Sequence, residues 1–141
     1  MRLSAKSEYA SIALMELAAS YGSGEPIQVR RISERHSIPQ RFLVQILLQL
    51  KATGLVVSTR GAAGGYELAR DPYQISLWDA IRAIDGTEET PALSSLADSP
   101  ASLVLRRAWH AAGDAEKTIL SSTTFGELVE EARSQSGMYY I

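Results

Sequence analysis

The chain has no cysteine among its 141 residues. That absence excludes disulfides, thiolate zinc sites and iron-sulfur clusters held by cysteine. No apolar run approaches the roughly 20 residues that a membrane-crossing helix needs. The opening MRLSAKSEYA lacks the apolar stretch of a secretory leader, so a cytoplasmic protein without membrane contact is expected. Catalytic constellations are missing as well. Serine, histidine and aspartate occur, but not in a nucleophile elbow, and there is no Walker-type phosphate loop. The reading is therefore not an enzyme: no catalytic residue, no cofactor and no metal ligand is assigned.

What is present is a 45% hydrophobic composition, enough at this length for one core with an extension but not for two large domains. The net charge of −2 hides an asymmetry. Residues 1–70 hold nine Lys or Arg against five Asp or Glu, a net of +4, and residues 71–141 hold five against eleven, a net of −6. A basic front half and an acidic back half suit a protein that turns one face to a polyanion.

Periodicity divides the chain further. Over residues 6–21, Tyr9, Ile12, Ala13, Leu14, Leu17 and Ala18 recur at intervals of three and four, one buried helical face, and Gly22 and Gly24 stop it. A short helix through Val29, Ile32 and Arg35 follows, with Arg30 and Arg31 on its first turn. Pro39 is tolerated only in an opening turn, so a new helix starts there, carries Phe42, Leu43, Ile46, Leu47 and Leu50 inward, and ends before Gly54. The period then changes to that of strands over residues 55–59 and 65–69, joined by a Gly-rich tip with one arginine. Three helices and a hairpin predict a mainly α fold with a small β wing, a winged helix-turn-helix over residues 1–74. Residues 75–135 are expected to form a helix capped by Ser76 and Asp79, a loop, a long helix after Pro100 and a short helix from Phe125 to Arg133. Residues 136–141 read as a flexible tail.

In a helix-turn-helix the second helix enters the major groove by its N-terminal end. The side chains there are Gln40, Arg41, Val44 and Gln45. Arginine pairs bidentately with guanine, glutamine with adenine, and a small apolar group meets the thymine methyl, which makes these the base-reading candidates for double-stranded DNA. At the hairpin, Arg60 is placed to enter a narrow minor groove, and Gly61, Gly64 and Gly65 allow close approach of backbone to phosphate. Arg2, Ser4, Lys6, Tyr9, Arg30 and Arg31 are the phosphate candidates. Each alone is as readily a plain surface residue; the arrangement is what points to DNA.

Four runs carry a family likeness: M-R-L-S-x-K-x-x-Y-A, I-S-E-R-x-x-I-x-x-x-F-L-x-Q, G-L-V-x-S-x-R-G-A-x-G-G-Y-x-L and I-x-x-x-x-A-I-R-A-I-D-G. In this register they resemble the Rrf-type winged-helix transcriptional regulators, over nearly the whole chain. That family includes the iron-sulfur cluster regulator IscR and the cysteine metabolism repressor CymR. The likeness is greater to the cysteine-free CymR branch, through R-G-A-x-G-G-Y, S-T-T-x-x-x-L and a terminus of Met-aromatic-Tyr-Ile. The resemblance implies a homodimeric repressor, joined mainly through the long helix with Leu103, Leu105, Ala108 and Trp109, that binds an imperfect inverted repeat. Many members hold a cluster on three cysteines in the loop before that helix; here residues 88–100 have none, Arg106 stands where a cluster-binding histidine can occur, and His36 and His110 read as helix-surface residues.

The CymR branch pairs with cysteine synthase, whose active site accepts C-termini ending in Ile. Tyr140 and Ile141 are the candidate docking residues, with a tail packed across the dimer or frayed as the equal alternative. The family usually has a polar cap where Pro39 stands and often an acidic residue at Val44, so no operator sequence is transferred. Two rival functions stay open: a winged-helix protein-interaction module without specific DNA binding, and a regulator sensing a small molecule at the dimer interface.

Overall fold

The computed structural model describes residues 3–86 and 98–138. Its elements are α1 (Ala5–Ala19), α2 (Val29–His36), α3 (Gln40–Ala52), β1 (Val56–Thr59), β2 (Gly65–Leu68), α4 (Leu77–Asp85), α5 (Pro100–Ser122) and α6 (Phe125–Met138). This is the mainly helical winged helix-turn-helix with a long helix appended. Among the described residues no helix is long and apolar enough to cross a membrane.

Helix α1 is the centre of the fold, packed against α2, α3, α4, α6 and β2. Its small residues suit that position: Ser7, Ala10 and Ala13 are fully buried beside Leu14 and Leu17, so several neighbours reach its backbone closely. Ser4 opens the helix from an extended conformation and accepts a hydrogen bond from the Ser7 N–H, satisfying one of the unpaired first-turn donors.

The turn between α2 and α3 is built by Ser37, which takes the left-handed conformation at φ 55°. Ser33 spans it, accepting the Ile38 N–H at 3.1 Å on its carbonyl and donating its hydroxyl to the Ile38 carbonyl at 2.6 Å. The Pro39 carbonyl then receives the Phe42 and Leu43 N–H groups, so α3 opens where the proline predicted. Leu43, Ile46, Leu47 and Leu50 are fully buried. Phe42, expected inward with them, is instead 39% exposed. It precedes Leu43 by one residue and so lies about 100° off the buried stripe, where its ring meets Tyr9 of α1 edge-on at 5.8 Å.

The hairpin pairs antiparallel in the register Val56↔Leu68 to Thr59↔Gly65. Asp71 caps a short turn at Pro72–Gln74, and Ser76 and Asp79 form the expected capping box of α4. Helix α5 carries a second box, Ser99 with Ser102, that the sequence reading had not assigned. Thr124 caps α6, accepting the Glu127 N–H, and α6 runs on to Met138 rather than ending at Arg133. Its first turn is stitched to the start of α4 by Leu77 N–H to Thr123 O and Phe125 N–H to Ile75 O. Phe125 and Val129 thereby enter the same core as Leu14, Leu43 and Leu50, which is continuous across the boundary drawn at residue 74.

Candidate nucleic-acid interface

Gln40, Arg41, Val44 and Gln45 are all exposed at the N-terminal end of α3. The same helix buries Leu43, Ile46, Leu47 and Leu50 against the core; Arg41 and Gln45 lie opposite that stripe and Val44 beside them, while Gln40 is in line with the stripe but exposed because it opens the helix. Among the described residues Arg41 has no ion-pair partner, nor do Arg31 and Arg60. A helix N-terminus with orphan N–H groups adds partial positive charge at that end.

Three ties hold the wing to this helix-turn-helix. Ile27 and Tyr66 exchange backbone hydrogen bonds at 2.9 and 2.8 Å, adding the segment before α2 to the edge of β2. The Gln28 amide donates to the Ala62 carbonyl at the hairpin tip at 3.0 Å. Lys51 near the end of α3 donates to the Ser58 hydroxyl at 2.7 Å. The candidate face of α3 and the exposed Arg60 therefore belong to one body rather than to two linked pieces.

The wing glycines divide into two groups. Gly61 sits at the tip at φ 104° with open space around it. Gly64 is buried, and a Cβ there would lie 2.1 Å from the Thr59 carbonyl oxygen. At Gly65 a Cβ would lie 2.4 Å from the Ile27 carbonyl oxygen. The last two are required by the hairpin's closure on itself and on Ile27, a steric reason that stands beside the close approach to phosphate expected from the sequence.

The phosphate candidates are placed unequally. Arg2 lies outside the described residues. Arg31 is exposed on α2, while Arg30 pairs with Glu34 at 2.9 Å, which raises the guanidinium's already high pKa. Lys6 is half-buried, and Tyr9 is half-buried against Phe42. Ser4 is engaged: besides capping α1, its hydroxyl donates to both carboxylate oxygens of Asp85, at 2.9 and 3.0 Å. Asp85 also accepts the hydroxyl of the fully buried Ser7 at 2.6 Å. That clasp between the start of α1 and the end of α4 was missed by sequence reasoning. Its trace is the I-D-G run, where Gly86 turns the chain away at φ 75°, but nothing local names partners about eighty residues away. His36, read as a surface residue, is half-buried with its Nε2 2.8 Å from Glu16 Oε1, an oxygen that Arg35 also reaches at 3.2 Å.

On α5 the four interface candidates are exposed, with Leu103 at 49%, Leu105 at 42% and Trp109 at 53%. Leu105, Ala108 and Trp109 share a stripe, while Leu103 lies about 200° around the helix from Leu105. Val104 and Ile119 are exposed as well, so apolar side chains emerge over much of the helix circumference. Tyr140 and Ile141 lie outside the described residues.

Comparison with known proteins places this geometry. The model of the Rrf2 family, described as iron-dependent transcriptional regulators, matches residues 3–131. CymR of Bacillus subtilis is 33% identical over 143 residues, spanning all of both chains. A Mycobacterium tuberculosis protein assigned as an HTH-type transcriptional regulator is 38% identical over 131 residues, 91% of this chain and 81% of its own. The solved structure of the B. subtilis CymR superposes with a TM-score of 0.78 at 32% identity, covering 93% of this chain and 98% of that one.

The residues present do not suit the thiolate-held iron site that the family description evokes. The chain has no cysteine, and at the head of α5 Arg106 donates to Asp98 at 2.9 Å, a cation beside a carboxylate rather than a donor set for a metal. The match over residues 3–131, the full-length identity with CymR and the shared fold lead to one conclusion: the chain belongs to the Rrf2 family of transcriptional regulators.

Proposed function

We propose that the protein is a homodimeric, sequence-specific binder of double-stranded DNA that represses transcription at an inverted-repeat operator without an iron-sulfur cluster. The observation that carries this reading is the outward face of α3. Arg41, Val44 and Gln45 project from the side of the helix away from its buried stripe, Gln40 is exposed at its first position, and the same body carries the exposed Arg60. Guanidinium and amide groups of this kind are the donors and acceptors that major-groove base edges match. The exposed apolar residues of the 23-residue α5 support dimerisation: the helix packs on α4, yet it still carries Val104, Trp109 and Ile119 toward water. Fluorescence anisotropy against duplex DNA at several salt concentrations tests the reading. Each phosphate neutralised adds about −0.9 to the slope of log affinity against log salt. A steep slope with preference for one sequence is expected. A winged-helix protein module without DNA binding would show neither.

The signal it responds to belongs to the same proposal. The relative whose structure superposes is the global cysteine regulator of B. subtilis, which supports control of cysteine or sulfur metabolism. With no cysteine to hold a cluster, a protein partner is the route favoured here: Tyr140 and Ile141 dock their terminal carboxylate in a cysteine synthase. Isothermal calorimetry with the intact chain and with residues 140–141 deleted checks this. Equal binding by both chains contradicts it.

A further inference from the structure

Leu48 is 53% exposed in the middle of the outward face of α3. It lies one turn beyond Val44, itself 37% exposed, and two turns beyond Arg41. At 100° per residue, Arg41, Val44, Gln45 and Leu48 fall within an arc of about 100°, with Leu48 near its centre. The elements that pack on α3 are α1, α2, α4 and β1, and its fully buried side chains are Leu43, Ile46, Leu47 and Leu50. Leu48 takes no part in that core. A lone exposed leucine is ordinary. Here it forms with Val44 a two-residue apolar strip beside Arg41, Gln45 and Lys51, donors suited to a nucleic acid rather than to an apolar protein face, while the exposed Phe42 lies off this arc against Tyr9.

We infer that Leu48 is a specificity-determining residue: with Val44 it forms an apolar strip that reads thymine 5-methyl groups along the major groove. The inference rests on the DNA-binding reading above and deepens it. The major-groove edge of thymine alone among the four bases offers a methyl group, and an aliphatic side chain beside it removes both surfaces from water. Arg41 and Gln45 then select purine edges at the N-terminal end of the helix, while Leu48 selects thymine about a turn further along. The tie from Lys51 to Ser58 places the wing's root beside the turn that follows Leu48, so the strip lies between the polar readers and the wing.

The test uses the full chain and a duplex recovered by selection from a random pool. Each thymine is replaced singly by deoxyuridine, which removes only the 5-methyl group. In the wild type, at least one such replacement in each half-site weakens binding about fourfold, the value of one buried carbon. Leu48→Ala, checked for unchanged circular dichroism, binds the thymine duplex more weakly by a similar factor and no longer distinguishes thymine from uracil at that position. Leu48→Met keeps the distinction. If the wild type tolerates uracil everywhere, or if Leu48→Ala retains full methyl sensitivity, the assignment of Leu48 is wrong while DNA binding stands. If no duplex is enriched at all, the DNA-binding reading itself fails, and the inference with it.

Discussion

Replacing Asp85 by alanine removes the acceptor of two hydroxyl donors, Ser4, which is shared between both carboxylate oxygens, and Ser7, while leaving the donors in place. Ser4 is half-buried and regains water when its contact is lost, so its share of the cost is small. Ser7 is fully buried, and its hydroxyl donates to Asp85 at 2.6 Å; without the carboxylate that donor keeps no equivalent partner. A hydrogen bond to a charged group contributes about 1.5–3 kcal/mol, and stranding a buried donor costs about 1–3 kcal/mol. The expected destabilisation for Asp85→Ala is therefore about 2 kcal/mol. Asp85→Asn, which keeps one acceptor oxygen, costs about half that. Ser7→Ala removes donor and bond together, and so costs less than Asp85→Ala; the double variant is no worse than Asp85→Ala alone, because the stranded hydroxyl has gone. Urea unfolding followed by far-ultraviolet circular dichroism measures all four, at one protein concentration because the proposed dimerisation would make stability depend on it. Additive single-variant effects, or an Asp85→Ala effect below about 0.5 kcal/mol, would refute the clasp as a stabilising link between α1 and α4.

Three other perturbations separate the parts of the molecule. Gly65→Ala forces a Cβ to within 2.4 Å of the Ile27 carbonyl oxygen, so thermal unfolding is expected to show a loss of about 2 kcal/mol, whereas Gly61→Ala meets only backbone strain of about 1 kcal/mol. Trp109→Glu places a charge where α5 is expected to meet its twofold mate. Since each dimer holds two copies, sedimentation equilibrium should show association weakened at least about a hundredfold, and an unchanged dimer would move the interface elsewhere. Arg60→Ala should cost about 1–3 kcal/mol in duplex affinity without changing the melting temperature, if the wing enters a groove. Equal affinity removes Arg60 from the interface.

The fold was legible wherever one period dominated. The Leu43, Ile46, Leu47 and Leu50 spacing, the break at Pro39 and the Ser76 with Asp79 box each announced their element through local chemistry, and α4 starts where its box predicts. Errors arose where a residue's partner was distant. Phe42 was placed inward because it is apolar, yet a helix turns about 100° between neighbours and only Tyr9 awaits it. The steric reason for Gly64 and Gly65, the carbonyls of Thr59 and Ile27, could not be seen locally because those groups lie across the hairpin and in the segment before α2. Ser4 was read as exposed, although its hydroxyl is occupied by Asp85 at the far end of α4. For the candidate interface, residue types and spacing were enough to name Gln40, Arg41, Val44 and Gln45. The ties from Gln28 and Lys51 that join wing and reading helix were invisible without the fold.

The central claim is that two copies of the α3 face, related by a twofold axis through α5, read DNA together. Selection of binding sites from a pool of random duplexes, followed by sequencing, tests it most directly. The account predicts enrichment of an inverted repeat whose half-sites are centred about 10 base pairs apart or at a multiple of that spacing, one per recognition helix. Enrichment of a single unpaired half-site or of a direct repeat, or no enrichment at all, would contradict it.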